Sequence, residues 1–162
     1  MIFFISAPAW QIFSLCILPL IVGSGLFALT ASMTAFRFVL LFAIVVELLW
    51  IYSVSIYIKQ KYSNQITVPL TTQQVSLIYL LIHAFIFSMD LIPNDQLFLF
   101  TTMGIVANIY CVYFVSRILV MAEKERRVSF HDYVGTFFLV YIFIYGIWWL
   151  QPRVNRLHKL NA

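Results

Sequence analysis

The stretch "LLFAIVVELLWIYS", residues 40 to 53, sets one carboxylate, Glu47, in the middle of an otherwise apolar run. The run extends from about 36 to 58, long enough to cross a bilayer as a helix. Glu47 stands midway along it, so a helix rising about 1.5 Å per residue carries it close to the bilayer centre. A charge at that depth costs on the order of 3 kcal/mol on insertion scales. The side chain is too short to snorkel out. Either the carboxyl keeps its proton, because desolvation disfavours the charged form, or it is ionised and paired.

The rest of the chain is built in the same way. Of 162 residues, 63% are hydrophobic and 10% charged, and the mean hydropathy is +0.96. A soluble domain of this size cannot hide so much apolar surface. The sequence therefore predicts an all-α, integral membrane helical bundle forming a single domain. Five transmembrane helices can be drawn, at about 10–30, 36–58, 74–92, 96–120 and 133–150. The number falls to four if the first segment, with Pro19 and "GSG" at 23–25, only dips into the membrane. The N-terminus lacks the basic region of a secretory signal and reads as part of the first span.

Helix starts are marked between the spans. Thr71 and Gln74 fit a capping box after Pro69. Asn94 or Asp95 can cap the fourth span, and Ser129 with Asp132 the fifth. Ser24, Ala28 and Ser32 form a small-residue stripe of the kind that lets helices pack closely in lipid, and Gly104 offers the same on span four. Cys16 and Cys111 fall inside spans without CxxC spacing and read as apolar fillers. No cofactor motif is present.

Three further polar residues fall near the depth of Glu47: His83 on span three, Asn108 on span four and Tyr141 on span five. Carboxylates and histidines at membrane depth mark proton or ion paths in pumps and transporters. The same residues also serve as interhelical hydrogen bonds worth roughly 0.6 to 2 kcal/mol. A third reading pairs Glu47 with a basic residue of another subunit.

The net charge of +4 belongs to the loops. With the N-terminus in the cytoplasm, Lys59, Lys61, Arg117, Lys124, Arg126 and Arg127 lie inside. Arg37, Arg153, Arg156 and Lys159 lie outside, so the C-terminal tail opposes the positive-inside bias. Arg117, Lys124, Arg126, Arg127, Arg153 and Arg156 are read as facing headgroups, with Arg117 snorkelling to reach them. Trp10, Trp50, Tyr57, Tyr62, Trp148 and Trp149 fall near span ends, where amphipathic rings suit the interface. The bilayer is the first partner. Nucleic acid is not one, since no basic, aromatic-interleaved soluble surface exists.

Two other constellations carry polar groups that could do chemistry. Asp90, Asn94 and Asp95 could offer oxygen ligands to a cation, or simply make a capped turn. His131 and Asp132 could form an acid–base pair, but no nucleophile accompanies them, and HExxH, GxSxG and phosphate-cradling glycine loops are all missing.

The stretch "AEKERRVSFHDYVGTFFLVYIFIYGIWWLQPRVNRL", residues 122–157, resembles the C-terminal end of small bacterial multi-span membrane proteins to which no activity is assigned. The resemblance covers about a fifth of the chain. It implies that Gln151, Pro152, Arg153 and Asn155 form a defined element after the last span, and it brings no catalytic residue. From the residues alone, Pro152 ends the last helix, and Arg153 and Arg156 anchor at the headgroups.

These features point to a small, non-enzymatic scaffold or accessory subunit in the bacterial inner membrane, in contact with other membrane subunits or with itself. The alternative is a small transporter or proton-conducting protein using Glu47, His83 and Asn108. An intramembrane enzyme is the third class.

Overall fold

A computed structural model describes residues 2–30, 33–62, 70–89, 91, 93 and 95–159. Among the described residues, seven helices and no strands make up the fold. They are α1 (Ile2–Ser6), α2 (Ala9–Thr30), α3 (Met33–Lys61), α4 (Leu70–Ser88), α5 (Leu97–Lys124), α6 (Phe130–Tyr141) and α7 (Phe143–Lys159). Three helices are long and apolar enough to cross a membrane: α3 from Phe36 to Lys61, α4 from Thr71 to Ser88, and α5. Helix α2 carries a shorter apolar stretch, Ala9–Gly25, with Pro19 inside it.

Successive long helices run up and down, so α3 and α5 are parallel, pack on each other, and both contact α4. The core lies between α3 and α5. Trp50, Ile51, Val54 and Ile58 of one meet Val112, Val115, Ile118 and Leu119 of the other, all essentially dry. Helix α2 closes on α3 at Gly23, where a Cβ would lie 2.5 Å from Val39 Cγ2. Glycine allows that approach. The predicted stripe does not supply it. Ser24 is exposed and bonds the carbonyl of Ile21 at 2.8 Å, while the Ala28 side chain and Ser32 lie outside the described residues.

The fifth apolar segment departs most from expectation. It is not one straight span over 133–150 but two helices joined through Ile142. Seventeen residues of continuous helix would hold Thr136 and Arg153 about 25 Å apart. Instead Arg153 Nη1 donates to Thr136 Oγ1 at 3.0 Å. The same guanidinium reaches Glu123, at the end of α5, through Nε at 2.6 Å and Nη2 at 2.5 Å. Helix α7 therefore folds back along α6. At the turn, the Leu139 carbonyl fills the space a Cβ on Gly146 would need. Only glycine admits that contact. With 12 residues, α6 descends about 18 Å before the chain reverses.

The returning helix is fastened by Gln151, which is fully buried. Trp50 Nε1 donates to Gln151 Oε1 at 2.8 Å. Gln151 Nε2 lies 2.9 Å from the carbonyls of Phe4 and Ala7 and 3.0 Å from Asn155 Oδ1. One side chain thus ties α7 to α3 and to the N-terminal segment. Two expectations are corrected here. Trp50 is buried at 0% exposure rather than set at the headgroups, because its N–H finds an internal acceptor. Pro152 does not end the helix: α7 continues through it to Lys159, with the ring on the exposed side.

Three smaller corrections follow. Arg117 does not snorkel outward but turns back one helical turn, donating to Tyr113 Oη at 3.0 Å with its guanidinium over that ring. The N-cap of α5 is Gln96, without a side-chain cap bond, and Asn94 lies outside the described residues. Asp132 does not pair with His131. Its carboxylate holds the Ser129 N–H at 2.9 Å, as the capping reading anticipated, and pairs with Lys124 and with Arg126. The Lys124 ammonium, then the Ser129 N–H, hold that carboxyl well below the usual carboxylate range.

Folding back has a consequence for charge. The ends of α3, α5 and α7 and the start of α2 gather at one end of the bundle, where Tyr57 Oη donates to the Leu157 carbonyl at 3.3 Å. Of 10 Lys and Arg, only Arg37 lies toward the opposite end. The C-terminal tail joins the other basic residues instead of opposing them.

Two outcomes are expected. Cysteines placed at Glu125 and Lys159 in vesicles react with an impermeant maleimide from the same side, whereas a straight fifth span would separate them. Gln151→Ala leaves the Trp50 N–H buried without an acceptor, which costs about 1–3 kcal/mol from the orphaned donor alone. Denaturant unfolding in micelles reads that loss.

Candidate functional site

Near the middle of the bundle, α3, α4, α5 and the tip of the α6–α7 hairpin enclose a cavity of about 220 Å³. Its polar lining is Glu47, His83, Thr101, Asn108 and Tyr141, and its apolar walls include Ile44, Leu48, Leu80 and Ile105. The four residues singled out by depth thus share one space. Glu47 comes from the midpoint of α3. Thr101, Gly104 and Asn108 come from one face of α5, at helical spacing. Tyr141 is the last residue of α6 and is present only because the hairpin ends at this depth.

His83 comes from the second half of α4. Its Nε2 lies 3.2 Å from the Phe100 carbonyl. A carbonyl can only accept, so Nε2 carries the hydrogen and Nδ1 is left as an acceptor. The ring stacks on Phe100, with centroids 4.2 Å apart and planes at 9°. It occupies the space that a Cβ on Gly104 would take. Gly104 is therefore the close-packing residue anticipated on α5, and what it admits is an imidazole rather than a helix backbone.

Glu47 is half-buried and, among the described residues, has no hydrogen bond or ion pair. Asn108 is in the same position. The direct Glu47–Asn108 or Glu47–His83 bond expected of internal glue does not form, because the cavity separates them and His83 gives its N–H to the backbone of α5. The link between α4 and α5 is His83 to Phe100, which side-chain depth alone could not reveal. Thr101 was also missed, although its place one turn before Gly104 on the same face was available as a signal.

The cavity opens sideways. Ile105 is 51% exposed and Tyr141 53% exposed at its rim, on the outer face of the bundle. Toward the basic end it is closed by Trp50, Ile51, Val112 and Val115, all at 0% exposure. Among the described residues no three His, Cys, Asp or Glu gather closely enough to hold a metal ion. Of the turn considered for a cation, Asp95 is exposed, and Asp90 and Asn94 lie outside the described residues.

Gly104→Val is expected to expel the His83 ring and break its bond to Phe100, lowering stability by about 1–3 kcal/mol through overpacking. Unfolding in micelles checks this, and His83→Ala in the same background should restore most of the loss. Comparison with protein-family models, with curated proteins and with solved structures returns no match, so the reading of this site stands on its own geometry.

Proposed function

We propose that this chain is a non-enzymatic accessory subunit of a membrane protein assembly, and that its mid-depth cavity receives a side chain from a neighbouring transmembrane helix. That helix belongs to a different subunit and presents a cation or a strong hydrogen-bond donor to Glu47. One observation carries the reading: a carboxyl at the midpoint of α3, without a hydrogen bond or ion pair among the described residues, in a cavity that opens on the outer face of the bundle. Such a group left against lipid is costly, and a partner's donor removes the cost.

In this reading α2, α3, α4 and α5 cross the bilayer, and the α6–α7 hairpin enters and leaves on one side. Non-crossing chain at such depth is tolerated where its backbone groups find internal partners, as the Ile142 N–H does on the Phe138 carbonyl and the Gly146 N–H on the Ile142 carbonyl. The basic end, with nine of ten Lys and Arg (all but Arg37), faces the cytoplasm by the positive-inside bias. The start of α2 and the end of α7 then lie on the cytoplasmic side of a bacterial inner membrane.

A second reading is favoured by the gathering of Glu47, His83 and Asn108 around one cavity: a proton-handling protein. The dry layer of Trp50, Ile51, Val112 and Val115 between that cavity and the basic end weighs against a continuous path.

The two readings separate on Glu47→Ala and Glu47→Gln. Purified from native membranes in mild detergent, the wild-type chain is expected in an assembly of defined mass with one stoichiometric partner. Glu47→Ala should release it as a folded monomer with unchanged helix content. A wild-type chain that is monomeric, or that forms only copies of itself, overturns the subunit reading. Proton flux in liposomes that Glu47→Gln abolishes establishes the second.

A further inference from the structure

The basic end holds a second recess, of about 520 Å³, between the start of α2 and the last turns of α7. Pro8 and Ala9 line one side, and Pro152, Asn155, Arg156 and Lys159 the other. Most cations near this end are committed. Arg153 binds Glu123, and Lys124 and Arg126 share Asp132. Arg156 and Lys159 are exposed and, among the described residues, pair with no carboxylate. Two uncompensated positive charges therefore converge on one concave surface. The 22-residue helix α2 begins there and adds the partial positive charge of its N-terminal end.

The ligand chemistry follows from charge and position. Two cations and a helix start suit a phosphate or phosphodiester. The recess lies at the level of Trp10, which is 56% exposed at the first turn of α2, a place suited to the headgroup boundary. In that same first turn starts an apolar groove of about 410 Å³, running along α2 past Trp10, Ser14 and Leu18, with Phe3 and Phe42 on its walls. A soluble phosphate has no use for such a groove, whereas an acyl chain does.

We infer that Arg156 and Lys159, with the start of α2, form a specific site for the headgroup of an anionic phospholipid, one of whose chains lies in the groove along α2. This site is separate from the Glu47 cavity and does not depend on what occupies it. Basic recesses between transmembrane helices on the cytoplasmic side are suited to anionic lipid headgroups.

The test titrates the full-length chain in detergent with phosphatidylglycerol or phosphatidylcholine and follows bound lipid by native mass spectrometry. The wild-type chain should take phosphatidylglycerol in preference. The double variant Arg156→Gln with Lys159→Gln should bind it about 30-fold more weakly, from two cations worth about 1 kcal/mol each, with phosphatidylcholine binding unchanged. The charge-keeping swap Arg156→Lys with Lys159→Arg should retain the preference, and so should Arg127→Gln, which removes an exposed cation elsewhere. The inference is overturned if the wild-type chain shows no preference, or if the double variant keeps it. Loss of binding in the swap, or displacement of the lipid by excess inorganic phosphate, overturns it equally.

Discussion

The arrangement of this protein depends on the fold-back of its last apolar segment, and that fold-back depends on what α7 finds when it returns. Gln151 enters the dry core and meets the Trp50 N–H and the carbonyls of the N-terminal segment. Arg153 meets Glu123 and Thr136. Buried polar groups are stable only when partnered, and in a membrane the alternative to an internal partner is hydrocarbon. The returning helix supplies those partners from one short stretch of chain. Gly146 lets the turn close, but the contacts further along hold it closed.

From that constraint follow the two features that bear on function. The hairpin stops at half depth, so its tip places Tyr141 beside Glu47, His83 and Asn108 and completes the wall of the cavity. The hairpin also returns the C-terminal basic residues to the end where α3 and α5 finish. A straight crossing would have left Glu47 in a more open cleft and divided the positive charge between two surfaces. The polarity of the molecule and the shape of its mid-depth site therefore share a cause.

The Glu47 cavity and the basic recess have complementary chemistry. One is a carboxyl that, among the described residues, makes no hydrogen bond or ion pair, in a cavity shared with His83, Thr101, Asn108 and Tyr141. The other is a pair of exposed cations that, among the described residues, pair with no carboxylate.

The helical, membrane-embedded character was legible in the sequence, because apolar runs of spanning length leave a chain no other low-energy state. The shared depth of Glu47, His83 and Asn108 was legible too, since helix rise converts residue count into height. The Ser129–Asp132 helix start was readable because capping is local chemistry. Rotation about each helix was not readable, so neither the His83–Phe100 bond nor the lack of a Glu47 partner among the described residues could be foreseen. Nor could the reversal at Ile142, because "VYIFIYGIWW" is as apolar as any span, and a turn within it is paid for only by Gln151 and Arg153 meeting residues far away along the chain. Composition and local spacing decided that the chain enters the membrane. Contacts between distant residues decided where it turns back, because a buried donor or acceptor is worth satisfying wherever the partner happens to lie in the sequence.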